Sequence, residues 1–452
     1  GNSPSILLFP WLGFGHVNPF LELAKKLSKL NFHIYFLSTP IILKSIKETL
    51  DKNSSNNINN VSIQLVEYHL PYLHELPPHY HTTNGLPPHL ISTLIQAFQM
   101  ASSKFPSIIE TLKPNLIIYD GFQPWVANMA SSCNIHAIMF YVSSTSTLAY
   151  LYHHFLHGTP SLTSFPFSSL YLHDYEIKKL DIQPRKPRDE RAFAYVILKS
   201  FEQSHDIVLL NTCREIEGKY IDYVSTIGKK ELIPIGPLIR GASIGEEEHC
   251  WVAIQSWLDK KDQFSCVYIS FGSECFLSKQ EIEEIAKGLE LSKVSFIWTI
   301  KFPKGVNTKI DEMVPQGFLR RTNGKGMVIE GWAPQSQILN HSSIGGFVTH
   351  CGWNSMLESM SFGVPIIAMP MNHDQPLNSR LVEELGIGFE ILRGENGEMK
   401  REEVAKGIRK VVEEKTRKEV NLKAMELSEN IKMKGEKAID EGVKMMLLKL
   451  LD

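Results

Sequence analysis

Residues 332–375 read WAPQSQILNHSSIGGFVTHCGWNSMLESMSFGVPIIAMPMNHDQ, and their pattern decides the architecture of the second half of the chain. Two apolar runs, residues 345–349 and 364–369, have the length and the flanking residues of buried strands. Between them HCGWNSMLESMSFG is a small-residue turn that passes into a short helical pattern. Strand, glycine turn, helix and strand in that order crowd His350, Asn354, Ser355 and Glu358 around one strand end and one helix N-terminus. Backbone N–H groups and the positive end of a helix dipole make such a place an anion site. Trp332 opens the stretch with an aromatic face, and Asp374-Gln375 closes it with an acid–amide pair suited to hydroxyl groups. An aromatic face, an anion site and a hydroxyl-binding pair together fit a nucleotide that carries a polar group.

The stretch resembles the signature box of plant family 1 UDP-dependent glycosyltransferases. It matches in length and at Trp332, Gln335, His350, Gly352, Asn354, Ser355, Glu358, Asp374 and Gln375. The resemblance implies a GT-B type α/β fold, two doubly wound Rossmann-like domains facing across a cleft, with the box on the donor side. It implies that Trp332 stacks on uracil and that the backbone of Ala333 bonds to its edge. Gln335 and Glu358 would hold the ribose hydroxyls, and a carboxylate suits a vicinal diol. Ser273, His350, Asn354 and Ser355 would hold the diphosphate, and Trp353, Asp374 and Gln375 the sugar. Glutamine at 375 implies glucose as that sugar. Taken singly, Trp332 and Trp353 read as well as core aromatics, and Glu358 as a solvated helix face. Packing alone has no reason to set the whole combination.

A chain of 452 residues is too long for one ordinary core, which predicts two domains of about 200 residues each. The boundaries read as 1–239 for an N-terminal acceptor domain, 240–251 for an acidic, glycine-containing linker and 252–430 for the donor domain. Residues 431–452 form a terminal helix that the resemblance returns to the first domain. A formal net charge of −2 without a dense Lys/Arg block argues against nucleic acid or an anionic membrane as partner. The six cysteines are scattered with no C-x-x-C pair, as expected of thiols in a reducing compartment. No apolar run reaches the roughly 18 residues of a membrane span, and residues 1–5 enter a strand pattern without a basic region or cleavage site. Three glycosylation sequons, at Asn53, Asn60 and Asn340, are matches of a kind common by chance. These features predict a cytoplasmic monomer that needs no cofactor beyond its UDP-glucose co-substrate.

The first half opens with an apolar strand at 6–10, a glycine turn WLGFGHVNP, a helix over 20–30 and a strand at 33–37. That is the start of a doubly wound sheet. G-x-G in such a turn also suits a nicotinamide cofactor. Asn18 at the third glycine position and Leu37-Ser38-Thr39 in place of an acid count against that. His16 ends the turn and Asp120 ends a later buried strand, 116–119, where open α/β sheets carry functional residues. A hydroxyl that attacks needs a base, and imidazole is the suitable one near neutral pH. A carboxylate beside it can hold its tautomer. Alone, His16 reads as incidental to a turn and Asp120 as a helix N-cap. The resemblance assigns the two as the catalytic pair. With one base, no paired carboxylate nucleophile and no Asp-x-Asp metal motif, a single displacement that inverts the anomeric centre is expected.

The acceptor side is less marked. PPHYHTTNGLPPH, within 69–89, resembles the plant subgroup that adds sugar to an existing sugar, at a 6- or 2-hydroxyl of a flavonoid or terpenoid glucoside. His79 and His81 in that loop, Gln123 and Trp125 after Asp120, and Ser143 and Ser144 after the next strand are candidate acceptor residues. Residues 157–191 lack periodicity and read as a variable loop whose aromatics, 165–175, form a wall for a flat aglycone. A non-catalytic nucleotide-sugar binding protein is the reading from another class, and an intact His16 and Asp120 count against it.

Overall fold

The computed structural model describes residues 3–54, 62–157, 165–179, 193–240 and 246–450. In the first half the apolar runs become seven strands: β1 (Ser5–Phe9), β2 (His33–Ser38), β3 (Ile63–Glu67), β4 (Leu116–Asp120), β5 (His136–Tyr141), β6 (Ile207–Leu210) and β7 (Glu231–Pro234). They pair in parallel in the order β3-β2-β1-β4-β5-β6-β7. Helices cover a parallel sheet on both faces, so its central strands are apolar throughout rather than alternating. Leu7, Leu8, Ile117, Ile118, Met139 and Leu209 are accordingly buried.

The second half repeats the pattern with β8 (Cys266–Ser270), β9 (Ser295–Ile300), β10 (Gly326–Glu330), β11 (Ile344–Thr349), β12 (Ile366–Ala368) and β13 (Gly388–Glu390). Their parallel order is β10-β9-β8-β11-β12-β13. One side of this sheet packs Val267, Ile269, Trp298 and Val348 against the helix Lys279–Ser292. The other packs Tyr268, Ile297 and Phe347 against Ile254 and Leu258 of the helix Glu246–Leu258. The helix Lys279–Ser292 begins at a capping box, in which Ser278 and Glu281 satisfy one another's backbone N–H groups.

Contacts between backbone positions divide the chain into two units, one around each sheet. Unit 1 holds Gly1–Ser161, Ile182–Ser243 and Lys434–Asp452, and unit 2 holds Leu162–Asp181 and Ile244–Met433. The helix Glu414–Leu450 supplies residues to both. Within unit 1, a Cβ on Gly442 of that helix would stand 2.9 Å from the carbonyl oxygen of Pro234, so glycine lets the helix approach the end of β7 closely.

Three local departures have clear causes. The first helix begins at Phe14 rather than near Phe20 and takes in His16, with Gly13 as its N-cap. Pro19 removes only one hydrogen bond in the first turns of this helix. Residues 91–112, whose apolar spacing suits one helix, are broken into Ile91–Met100, a 3-10 turn at Ala101–Lys104, and Phe105–Leu112. Pro106 lies in the first turn of the last piece, where a missing N–H costs nothing. The segment 162–181, read with the first half, groups with unit 2. Its described part, 165–179, is held there by Glu176, whose carboxylate takes two hydrogen bonds from Arg380 at 3.0 and 2.8 Å. Ser169 Oγ also donates to Glu384 at 2.7 Å. Of the aromatics read as an aglycone wall, the Tyr171 ring lies 4.8 Å from the Arg380 guanidinium and Tyr175 packs on Gly397. Residues 158–164 and 180–192 lie outside the described residues. Among the described residues no helix is long and apolar enough to cross a membrane.

Candidate active site

In unit 1 the strand order reverses at β1, which pairs with β2 on one side and β4 on the other. Loops diverge at such a point, and open α/β sheets bind ligands there. Asp120 ends β4, and the helix carrying His16 follows β1. The Asp120 carboxylate, 2% exposed, accepts from the Trp11 backbone N–H at 3.0 Å and lies 2.8 Å from His16 Nδ1. A carboxylate cannot donate, so Nδ1 carries the proton and Nε2 is the basic nitrogen. The His16 side chain is 23% exposed, and Phe122 packs against it at 5.2 Å.

The structure separates the candidate acceptor residues by what their polar atoms do. Gln123 is buried and acts as a staple. Its amide oxygen accepts from the Asp120 N–H at 3.0 Å, and its Nε2 donates to the carbonyls of Phe9 and Pro10 at 3.2 and 3.4 Å. It therefore sets the Asp120 geometry and does not line an acceptor site. Trp125 joins an aromatic cluster with Phe9, Phe98 and Phe105. Ser144 is buried and caps the helix Thr145–His157, its hydroxyl bonded to Oγ1 and N–H of Thr147 at 2.9 and 3.3 Å. Ser143, next to it, is half-buried beyond the end of β5. His81 is buried, with Nε2 on the Leu76 carbonyl at 3.1 Å, and burial lowers its pKa. It locks the loop, whereas His79 lies exposed against Tyr80. The loop is nonetheless docked beside the base. Thr82 Oγ1 and the Thr83 N–H both donate to the Leu12 carbonyl at 3.0 Å.

In unit 2 the reversal is at β8, between β9 and β11. Ser273, Trp332, His350 and Asp374 all lie beyond the C-terminal ends of strands, on four different loops. The ring of His350 lies between two glycines. A Cβ on Gly272 would stand 2.8 Å from it, and one on Gly352 would stand 2.6 Å from Nε2. Gly272 also has φ +74, a backbone shape that side chains disfavour. Burial pushes the His350 pKa down to about 4, helped by the positive charges of Lys301 and His373. The ring is therefore neutral at pH 7 and offers an anion an N–H rather than a full charge. Next to it begins the helix Trp353–Phe362, with Asn354 and Ser355 in its first turn and Trp353 buried at its start.

The nucleoside-side residues form one network. Gln335 Nε2 donates to Glu358 at 2.5 Å and to Ser355 Oγ at 3.2 Å, and Ser336 Oγ donates to the other Glu358 oxygen at 3.2 Å. Ala333 is buried, and the indole of Trp332 is 49% exposed. At the sugar end, the Gln375 amide oxygen accepts from the N–H groups of Met371 and Asn372 at 3.0 and 2.8 Å. With its oxygen so engaged, the amide keeps its NH2 as a donor. Asp374 accepts from Asn378 Nδ2 at 3.0 Å, and Asn378 also donates to the Cys351 carbonyl at 2.9 Å. Asn378 and Ser336 escaped the sequence reading. Their spacing, Asn378 four residues beyond Asp374 and Ser336 next to Gln335, is the one signal that could have found them.

Because Gly352 has φ −59, alanine fits its backbone and clashes only with His350. Gly352→Ala is therefore expected to keep the fold and to weaken UDP about 10- to 100-fold, the worth of one hydrogen bond to a charged group. Titration calorimetry checks this, and unchanged affinity would remove His350 from the phosphate site.

Comparison with known proteins agrees with this geometry. Residues 252–445 match the family described as UDP-glucoronosyl and UDP-glucosyl transferase, and residues 2–240 match the glycosyltransferase N-terminal domain. Mogroside IIIx synthase of Siraitia grosvenorii is 49% identical over 98% of this chain and 97% of its own length. The beta-D-glucosyl crocetin beta-1,6-glucosyltransferase of Gardenia jasminoides is 44% identical over 97% of each chain. The crystal structure of Glycyrrhiza uralensis UGT73P12, complexed with glycyrrhetinic acid 3-O-monoglucuronide, superposes with a TM-score of 0.82 at 23% identity. It covers 99% of this chain and 97% of that one. The fold is GT-B, and the chain belongs to the plant family 1 UDP-dependent glycosyltransferases.

Proposed function

We propose that this enzyme transfers glucose from UDP-glucose to a 6- or 2-hydroxyl of a sugar already present on a small plant glycoside, such as a flavonoid or terpenoid glucoside. The observation that carries the chemistry is the His16–Asp120 pair, which presents a basic Nε2. The acceptor O–H gives its proton to His16 Nε2 as its oxygen bonds to the anomeric carbon. The bond from that carbon to the β-phosphate oxygen breaks, and UDP leaves with the electron pair. One displacement inverts the centre and gives a β-glycoside. Support for a glycoside acceptor comes from the printed activity of the Gardenia relative, which acts on a glucosyl crocetin, at 44% identity over nearly the whole chain. Glucose as donor is supported by Gln375, whose amide oxygen is engaged by backbone N–H groups and whose NH2 can donate to sugar hydroxyls.

We propose further that the enzyme acts as a cytoplasmic monomer and without a metal ion. Developing charge on UDP would then fall to protein N–H groups and the helix end at Trp353. Paired acceptors test the reading. Monoglucosides are expected to be turned over at least about tenfold faster than their free aglycones, a difference of ~1.4 kcal/mol in transition-state binding. The rate should persist in EDTA, and NMR should place a β-linkage on the existing sugar. Equal or faster turnover of the aglycones points instead to an ordinary O-glucosyltransferase.

A further inference from the structure

β9 ends at Ile300, and the next residue, Lys301, stands at the C-terminal edge of the unit 2 sheet, one strand over from the Gly272-Ser273 turn that follows β8. Its side chain lines a small cavity with Gly272, Cys275 and Thr299. No carboxylate or hydrogen-bond acceptor among the described residues meets its ammonium group. The sole influence on its pKa is loss of water, which pushes it down to about 8. Lys301 is half-buried, and an ammonium partly withdrawn from water gains from an anionic partner, because burial of an unpaired charge is costly. The other charge sensed at this place is positive or neutral: His350 feels Lys301 as a repulsion. Here a cation lies near a neutral imidazole that itself packs against Gly352 at a helix N-terminus, and no anion among the described residues meets it. Such an arrangement suits an anion that arrives from solution.

We propose that Lys301 is a binding residue for the diphosphate of the donor, completing with Ser273, His350 and the helix start at Trp353 the site that holds UDP. This deepens the UDP-sugar reading and rests on it. In the free protein the ammonium goes unpaired. In the complex it lies against phosphate oxygens, and during transfer it offsets the charge that UDP gains as the glycosidic bond breaks. The stretch FIWTIK carries the only sequence signal, a lysine directly after a buried strand at the functional edge of the sheet.

Calorimetry with UDP and with uridine, on wild type, Lys301→Met and Lys301→Arg, tests the assignment. Lys301→Met is expected to bind UDP about 10- to 100-fold more weakly, as for loss of a charge-assisted bond. Uridine, which lacks the phosphates, should bind as to wild type, and Lys301→Arg should recover most of the UDP affinity. Melting of the unliganded Lys301→Met protein should not fall below wild type, since an unpaired charge has been removed, while its stabilisation by UDP shrinks. Unchanged UDP affinity overturns the proposal, as does an equal loss for uridine or a loss that arginine does not restore. Wild-type protein that binds neither ligand would instead defeat the donor-site reading itself.

Discussion

Replacing His16 with alanine is expected to slow glucosyl transfer by at least about 100-fold, the low end for a general base, and to leave UDP affinity unchanged. The two effects separate because the residues proposed to hold the nucleotide belong to unit 2 and the proposed base belongs to unit 1. Without an imidazole no group of suitable pKa takes the proton from the attacking hydroxyl. The loss should therefore appear in kcat, with the KM for UDP-glucose little moved. Asp120→Asn is a stricter test of the same pair. The carboxylate now accepts from both Trp11 N–H and His16 Nδ1. Both bonds go to one oxygen, Oδ2, so an asparagine that places its amide oxygen there keeps the Nδ1 proton in place and removes only the negative charge that stabilises the imidazolium, which is expected to lower kcat with the geometry intact. Steady-state kinetics with parallel UDP calorimetry reads both variants. A His16→Ala enzyme with wild-type turnover would falsify the assignment.

Arg380→Ala is expected to cost unit 2 about 3–5 kcal/mol, the range for removing one partner of a buried ion pair. Arg380 is 1% exposed. It donates to both oxygens of Glu176, to Glu390 and to Ser379 Oγ. One guanidinium thus faces two buried carboxylates. Burial pushes the Glu390 pKa up to about 7, against the pull of Arg380 and with the help of Glu176. The sign follows from the direction of that shift. Folded Glu390 holds its proton to higher pH than the unfolded chain does, so stability falls as pH rises from its ordinary carboxylate range through about 7. With the cation gone Glu390 holds its proton to still higher pH, and the deficit of Arg380→Ala grows between pH 5.5 and 8. Thermal melts at the two pH values measure it. Pairing Arg380→Met with Glu176→Gln and Glu390→Gln should restore most of the loss, because neutral groups of similar volume need no counter-charge. A pH-independent deficit would assign the cost to lost packing.

The sequence carried the parallel sheets openly. A strand covered by helices on both faces is apolar along its length, and such runs ended at Asp120 and next to His350 as the two sheets require. Helix ends were less legible. Phe14 to His16 are helical although two glycines flank Phe14, because the Gly13 carbonyl already accepts from His16 and Val17. The candidate acceptor residues were the weakest reading. Gln123, His81 and Ser144 carry the polar groups a substrate needs, yet each spends them on the protein's own backbone or neighbouring side chains.

What the chain determined by itself were residue types at short spacing: the order of apolar runs, the glycine turns and the grouped polar residues of 332–375. Tertiary structure alone decided which of those polar groups are already satisfied. Arg380 and Glu176 lie 204 positions apart, and nothing local foretells that they meet. Lys301 shows the converse, a charge that no acceptor among the described residues meets, which only the fold could show. Hydrogen bonding and burial are properties of contacts, and most contacts that complete a site are distant in sequence. In residues 332–375 the groups that hold a nucleotide sugar were legible as a list. Only the fold showed that His350 is wedged neutral between Gly272 and Gly352, with the Lys301 cation near it.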